Sequence, residues 1–390
     1  MPSSTTRQDV VPIIAEHDTW ISVDPIIGCP ARCSYCYLGP IDLRAHRPNV
    51  RLSPQESVEL LCDYLADTRD DLLNSPDSTP VCIGNYTDML MTPSNRQYLY
   101  DFVSEVATRK IDRIIVLVSK GRMSRPFAQE LDTLGVRIIA FHSQSFHRVT
   151  MDRPTETGPV LTPEGTFAAA GAYHNLTNIT PIHFWRPITR KSIPSKEWSV
   201  ETISKLKNAG FRASVAIGLA IGPGIDQADL IDDRLLEHNS EASGEIWDQS
   251  TWLDISNAAK IVGYPVYRST SCAIALARSK PEELGTWHRS RGATSRCIPC
   301  NCPQTQRAKC KVGRLSSANL GKNISWIADY AGKKVSQFTV LADRRVRVAG
   351  QIRQSAVSLA LHKYQIELVP DSVFTERAWV GHFGRGLDSE

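Results

Sequence analysis

Short apolar runs alternate with helical patterns along the first two-thirds of the chain. Seven runs rich in Val and Ile predict buried parallel strands. These runs are Trp20–Ile27, Pro80–Gly84, Arg113–Val118, Val136–Phe141, Pro181–Trp185, Arg212–Ile217 and Pro265–Arg268. Ser53, Thr92 and Thr162 each precede a proline and predict helix starts, while Gly135 and Gly210 predict helix ends. This order predicts an α/β fold, a partial (β/α)6 TIM-type barrel with its chemistry at the carboxyl ends of the strands.

The pattern divides the chain into three parts. We expect residues 1–280 to form the partial barrel, 281–315 a cysteine-rich segment and 316–390 a small, basic α+β appendage. Within the appendage, Val335–Leu341 and Val346–Ala349 predict a hairpin, and Ile366–Val369 predicts a further strand. No apolar stretch is long enough to span a bilayer, and the N-terminus has no apolar signal region, so we expect a cytoplasmic protein without a membrane partner.

Cysteine usage points to metal chemistry. Seven of the ten cysteines fall in two tight clusters. Thiols stay reduced in the cytosol, so the clusters are interpreted as metal ligands before disulfides.

The first cluster consists of Cys29, Cys33 and Cys36, and it directly follows the first predicted strand. Thiolates at this C-x3-C-x2-C spacing are suited to three corners of a 4Fe–4S cube, which leaves the fourth iron without a protein ligand. Cys62 lies among leucines on a predicted helix and is expected to be a buried apolar thiol. A zinc site completed by His46 is the alternative.

This loop resembles the radical S-adenosylmethionine (SAM) superfamily, in which an aromatic residue, here Tyr35, precedes the third cysteine. Cys33-Ser-Tyr-Cys-Tyr-Leu38 is similar to the spore photoproduct lyase branch, and the resemblance covers about Asp18 to Ala277. It implies an enzyme whose 4Fe–4S cluster cleaves SAM to a 5′-deoxyadenosyl radical, which abstracts hydrogen from a substrate. It also implies a reductant such as flavodoxin or ferredoxin.

The same resemblance implies roles for residues at the strand ends. The SAM-contacting candidates are Gly84, Asn85, Lys120, Ser143 and Arg186. A plain strand-to-helix turn is the alternative for Gly84-Asn85, and a structural ion pair is the alternative for Arg186.

Three further residues are candidates for hydrogen transfer. Tyr35 and Tyr37 match tyrosines that pass a hydrogen in the lyase branch, and Cys82 is the candidate hydrogen donor. Packing against adenine remains open for Tyr35. Packing within the second strand remains open for Cys82, because the lyase pattern would place Tyr86 at the donor position.

The second cluster places four cysteines within fourteen residues: Cys297, Cys300, Cys302 and Cys310. Four thiolates suit either a second 4Fe–4S cluster or a structural zinc. Pro299 and Pro303 favour a loop around an iron–sulfur cluster.

Charge is concentrated near the second cluster. The whole chain carries a net charge of +4, whereas residues 286–354 contain fourteen Lys and Arg against two Asp, a net charge of +12. This asymmetry favours DNA or RNA as the partner. Interleaved aromatics suit base stacking, with a solvated basic face and ordinary core aromatics as the alternative; they are Trp287, Trp326, Tyr330 and Phe338.

Three functions are therefore in competition. The leading hypothesis is a radical SAM enzyme that repairs a nucleic-acid lesion or modifies a base. The second is radical modification of a peptide or small metabolite. The third is a non-catalytic, metal-bearing nucleic-acid-binding protein.

Overall fold

A computed structural model describes most of the chain. The described residues are 11–16, 20–39, 41–66, 79–146, 155–221, 244–246, 249–280, 301–312, 320–342, 345–353, 356–357, 360 and 366–374. Two of the candidate metal ligands, Cys297 and Cys300, lie outside them.

Strands and helices alternate through the first part of the chain, as the apolar pattern predicts. The strands are β1 (Ile14–Glu16), β2 (Ile21–Val23), β3 (Ile26–Ile27), β4 (Asn49–Val50), β5 (Val81–Ile83), β6 (Ile115–Ser119), β7 (Ile138–Ser143), β8 (Ile179–Trp185), β9 (Ser214–Ala216), β10 (Leu219–Ile221), β11 (Gly244–Ile246), β12 (Val266–Tyr267), β13 (Phe338–Ala342), β14 (Arg345–Arg353) and β15 (Glu367–Phe374). The helices are α1 (Pro54–Ala66), α2 (Pro93–Thr108), α3 (Arg125–Thr133), α4 (Pro163–Ala170), α5 (Lys196–Ala209), α6 (Gln249–Val262), α7 (Thr270–Arg278), α8 (Gln304–Val312) and α9 (Leu320–Tyr330).

Eight strands form the central sheet in the order β1-β2-β5-β6-β7-β8-β9-β12. All neighbours from β2 to β12 are parallel, and only β1 is antiparallel to its partner. The α/β fold class is thus confirmed. All seven predicted strands form, one more than the six strands of a (β/α)6 barrel. The edge strands β1 and β12 do not pair with each other, so the sheet is open within the described residues.

The first predicted strand is divided in two. β2 ends at Val23, and β3 pairs with β4 in a separate two-stranded sheet. Pro25 lies between them and has no N–H to donate to a strand ladder, which accounts for the break. The cysteine loop follows β3.

Local capping starts the helices where the sequence predicts. Ser53 and Glu56 form reciprocal hydrogen bonds at α1. The hydroxyls of Thr92 and Thr162 accept from the N–H groups of Asn95 and Gly165, each at 3.1 Å. These caps fix the residues at which the three helices begin.

The central sheet is covered on both faces. On one face, side chains such as Ile83 and Leu117 pack against α1, α2 and α3. On the other face, Val116 and Phe141 pack with Ile274 of α7. Since both faces are covered, the ends of the strands are where a ligand can enter. None of the helices in the described part is both long and apolar enough to cross a membrane.

The C-terminal appendage has a core of its own. β14 pairs antiparallel with β13 and parallel with β15, and Val346 and Val348 of β14 pack against Ile327 of α9. The predicted hairpin and final strand therefore form.

The appendage aromatics serve packing. Trp326 and Tyr330 stack on each other with ring centroids 5.5 Å apart, and both pack against the barrel core as well as the appendage core. Phe338 is buried. These contacts favour the core-packing alternative for the three residues, base stacking stays a prediction, and Trp287 lies outside the described residues.

Replacing Trp326 with Ala should lower the free energy of unfolding by roughly 2 kcal/mol, because a half-buried aromatic contact between two cores is lost. Denaturant titration measures the change. The exposed Val340→Ala is the control and should stay within about 0.5 kcal/mol of the parent. An unchanged stability for the tryptophan variant would contradict the packing role.

Candidate functional site

A glycine opens the cysteine loop. Gly28 has a φ of +93°, and an added Cβ would lie 2.9 Å from the carbonyl oxygen of Arg47. Cys29 then donates its N–H to Leu43 at 3.0 Å and accepts from the N–H of His46 at 3.1 Å. The backbone bonds hold the start of the loop against residues 43–47.

The three predicted cluster ligands line one cavity of about 160 Å³. Cys29 and Cys33 are buried and Cys36 is half-buried. Burial raises the pKa of the Cys33 thiol to about 12 and raises that of Cys29 further. Around Cys36, nearby Lys120 and Arg186 oppose the rise caused by burial. A metal that binds thiolate would supply the positive charge that these buried sulfurs lack.

The three cysteine side chains are not arranged to bind a single metal ion together. No three His, Cys, Asp or Glu side chains within the described ranges are close enough to hold one metal ion. In a cube, three cysteines occupy three separate corners, so they do not need to converge on one ion. A loop with three thiols facing one cavity fits that donor set.

The histidine proposed for a zinc site points elsewhere. The His46 ring lies 3.4 Å from the Asp42 carboxylate, its side chain is 43% exposed, and it does not line the cavity. The zinc alternative at the first cluster therefore has no support from His46. Cys62 packs partly buried against the barrel core, as expected.

All five predicted SAM-contacting residues line the same cavity. They come from four neighbouring strands: Gly84 and Asn85 follow β5, Lys120 follows β6, Ser143 ends β7 and Arg186 follows β8. Parallel strands bring their carboxyl ends to one edge, so the fold assembles these residues from distant parts of the sequence.

Two buried N–H groups on the cavity lining have no partner in the described part of the chain. The Asn85 backbone is held by the Asp24 carboxylate at 2.6 Å, while its side-chain Nδ2 is unpaired. The indole Nε1 of Trp20 is also unpaired. Buried unpaired donors are costly, so both fit a ligand that offers acceptor atoms, as the SAM carboxylate does.

Arg186 lines the cavity. Its guanidinium lies 6.0 Å from the ring centroid of Phe184, and no carboxylate in the described part of the chain pairs with it. The structural ion pair considered from sequence is therefore not formed there.

Lys120 belongs to a buried polar network. Its Nζ donates to Glu156 at 2.6 Å and to Ser143 at 3.0 Å, and the phenol of Tyr35 also donates to Glu156. Glu156 is 1% exposed. Sequence reasoning missed Glu156, because it lies in a segment with no motif and reaches the site only through the tertiary fold.

The two tyrosines of the loop have different surroundings. Tyr35 is buried and directs its hydroxyl to Glu156, whereas Tyr37 is 42% exposed and donates to the backbone carbonyl of Asn85. Tyr37 also makes an edge contact with Tyr86, at 6.5 Å between ring centroids. Both tyrosines line the cavity, as a transfer role requires.

Cys82 does not line the cavity. It is 1% exposed and packs with Val116 and Phe141, and its thiol donates to Asn85 Oδ1 at 3.5 Å. Burial raises its pKa. The neighbouring strands enclose Cys82, which favours the packing alternative, and the hydrogen-donor assignment stays a prediction.

The second cysteine cluster is described only in part. Cys302 is half-buried, and its sulfur accepts from the Tyr267 hydroxyl at 3.3 Å. Cys310 lies on α8, and its side chain is outside the description. A second 4Fe–4S cluster or a zinc here stays a prediction.

In sequence comparisons, no protein-family model and no curated protein matches the chain. Solved structures with a similar fold include spore photoproduct lyase complexed with dinucleoside spore photoproduct, over 62% of this chain and 74% of that chain, with 12% identity and a TM-score of 0.46. SuiB from Streptococcus suis bound to S-adenosylmethionine covers 64% of this chain and 50% of that chain, at 9% identity and a TM-score of 0.41. TsrM from Kitasatospora setae, a radical S-adenosylmethionine methyltransferase with cobalamin and a 4Fe–4S cluster bound, covers 52% of this chain and 35% of that chain, at 14% identity and a TM-score of 0.38. The function is therefore inferred from this chain's own residues.

The buried Asp24 predicts a pH-dependent stability. Burial raises its pKa from the ordinary 3.8 to about 6, so between these values the folded protein holds a proton that the unfolded chain has released. Its contribution to stability therefore falls as pH rises from about 4 to about 6, by up to roughly 3 kcal/mol.

Asp24→Asn keeps an oxygen that can accept from the Asn85 N–H and should lack this pH dependence. Denaturant unfolding at several pH values between about 4 and 7 measures the difference between parent and variant. Parallel stability curves for the two proteins would refute the assignment.

Proposed function

We propose that this chain is a radical SAM enzyme. One observation carries the proposal: the three thiols of the C-x3-C-x2-C loop and all five SAM-contacting candidates line a single cavity at the carboxyl ends of the parallel strands. Along the sequence these residues are spread from Cys29 to Arg186, and the fold brings them together.

Separate residues of this chain are proposed to bind the cluster and SAM. Cys29, Cys33 and Cys36 would hold a 4Fe–4S cluster and would leave one iron open to SAM. Arg186 supplies a planar, charged donor for a carboxylate, and Asn85 supplies its unpaired amide N–H. With cluster and SAM bound, reductive cleavage of SAM provides a 5′-deoxyadenosyl radical that abstracts hydrogen from the substrate.

The cavity walls limit side reactions. Apolar side chains from separate elements, including Leu38, Met91, Val118 and Phe184, line the cavity together with the polar groups. They restrict water around a reactive species and hold a substrate in a fixed orientation.

Hydrogen transfer is assigned to the loop tyrosines. Tyr37 is partly exposed and hydrogen-bonded to the Asn85 carbonyl, and Tyr35 is buried in the network with Glu156; both line the cavity. The proposal includes an external reductant such as flavodoxin or ferredoxin.

We extend the proposal to a nucleic-acid substrate, with lesion repair or base modification as the reaction. The excess of fourteen Lys and Arg over two Asp in residues 286–354 supports it. Exposed lysines of the appendage, such as Lys322 and Lys334, contribute to this charge.

Cluster binding is tested by anaerobic reconstitution. The parent should hold about eight irons, and Cys29→Ala/Cys33→Ala/Cys36→Ala about four, if both clusters are cubes. The triple variant should also release no 5′-deoxyadenosine from SAM under strong reductant. Cys62→Ala is the matched control and should behave as the parent. Equal iron content and equal SAM cleavage in parent and triple variant would sink the proposal.

The substrate class is tested by salt titration. Binding to DNA or RNA should weaken by roughly a thousandfold or more between about 50 and 200 mM salt if six or more phosphates are contacted. Lys322→Gln/Lys334→Gln should lower the salt slope by about two. Lys205→Gln, on barrel helix α5, is the control. Binding that does not change with salt concentration, or no binding, would favour a peptide or small metabolite as the substrate.

A further inference from the structure

A short segment crosses the cysteine loop and pairs with its backbone. We name residues 155–158 the strap. The N–H of Arg32 donates to the carbonyl of Thr157, and the N–H of Ser34 donates to the carbonyl of Thr155, both at 2.9 Å. The two bonds alternate along both segments, as in a strand ladder. They anchor the loop on both sides of Cys33.

The strap lies so close to the loop that its last residue, Gly158, leaves little room for a side chain. Gly158 has a φ of +94°, and an added Cβ would lie 3.1 Å from the carbonyl oxygen of Pro30. Any other residue would therefore strain the backbone and push the strap away from the loop.

The side chain of Glu156 also stabilises the contact between the strap and the cysteine loop. Glu156, at the centre of the strap, accepts from Lys120 Nζ at 2.6 Å and from the Tyr35 hydroxyl. Lys120 in turn donates to Ser143 at 3.0 Å. Glu156 thus connects the loop, through Tyr35, to the ends of β6 and β7. A buried carboxylate with these partners has a defined position, and its loss leaves the Lys120 charge poorly compensated.

We propose that Glu156 is a positioning residue that, with the strap, holds the cysteine loop in its cluster-binding conformation before metal arrives. The inference rests on the proposed function, since it concerns the same cysteines. Its physical basis is that a backbone already constrained between the three thiols does not have to be ordered by the metal when it binds. Outer contacts of this kind orient the groups that ligate a metal.

The first test uses hydrogen exchange in the metal-free protein. Glu156→Gln keeps the shape of the side chain and removes its charge, and should speed exchange of the Arg32 and Ser34 amides by about tenfold or more. Gly158→Ala leaves the cavity charges intact and should have the same effect. Glu130→Gln, an exposed glutamate on α3, is the matched control. The Val81 amide, bonded to Ile114 at 2.8 Å, reports that the sheet stays folded.

The second test follows the cluster. In reconstituted full-length protein, a chelator should strip iron from Glu156→Gln about tenfold faster than from the parent, as for other contacts that support metal ligands. The Cys29→Ala/Cys33→Ala/Cys36→Ala chain gives the background from iron bound elsewhere. The Glu130→Gln protein should match the parent.

The outcomes separate the two proposals. Faster amide exchange together with faster iron loss supports the positioning role. Unchanged exchange in both strap variants overturns it, and so does faster exchange with unchanged iron loss. If the parent holds no more iron than the triple variant, the radical SAM proposal fails, and amide exchange alone then decides whether the strap constrains the loop.

Discussion

The backbone hydrogen bonds that seat the cysteine loop on the strand ends are the interaction on which the site depends. They join residues 29 and 46 at the start of the loop and residues 32 and 34 to the segment at 155–157. With the chain between Cys29 and Cys36 held in this way, the three thiols line one cavity. Gly28 makes the sharp entry possible, because its φ of +93° and its contact with Arg47 exclude a side chain.

Burial gives the site its electrostatic character. The sulfurs and Glu156 lie in a low-dielectric region, so each charge there needs a partner. Lys120 is shared between Glu156 and Ser143, while Arg186 has no acidic partner in the described part of the chain. One cation is therefore paired within the protein's own structure, whereas the other has no carboxylate partner among the described residues. The sequence resemblance predicts that Lys120 and Arg186 both contact SAM, but their surroundings in the structure differ.

The appendage shows why charge and aromatic content need separate interpretation. Some of its basic residues, such as Lys322, Lys334 and Arg347, are exposed, which is compatible with a polyanionic partner. Its aromatics, by contrast, join two hydrophobic cores: Trp326 and Tyr330 stack and face the barrel and the appendage at once. A sequence pattern that interleaves the two residue types does not distinguish a stacking surface from a packed helix, since both place aromatics near basic residues.

The sequence by itself determined the seven parallel strands, the helix starts at Ser53, Thr92 and Thr162, and the strand ends at which Asn85, Lys120, Ser143 and Arg186 lie. Each depends on local periodicity or capping, which operates within a few residues. Only the tertiary structure decided that Cys82 is enclosed between strands and that Glu156 enters the site. The reason is distance along the chain: Tyr35 and Glu156 are 121 residues apart, and no local pattern encodes which distant groups meet once the sheet forms.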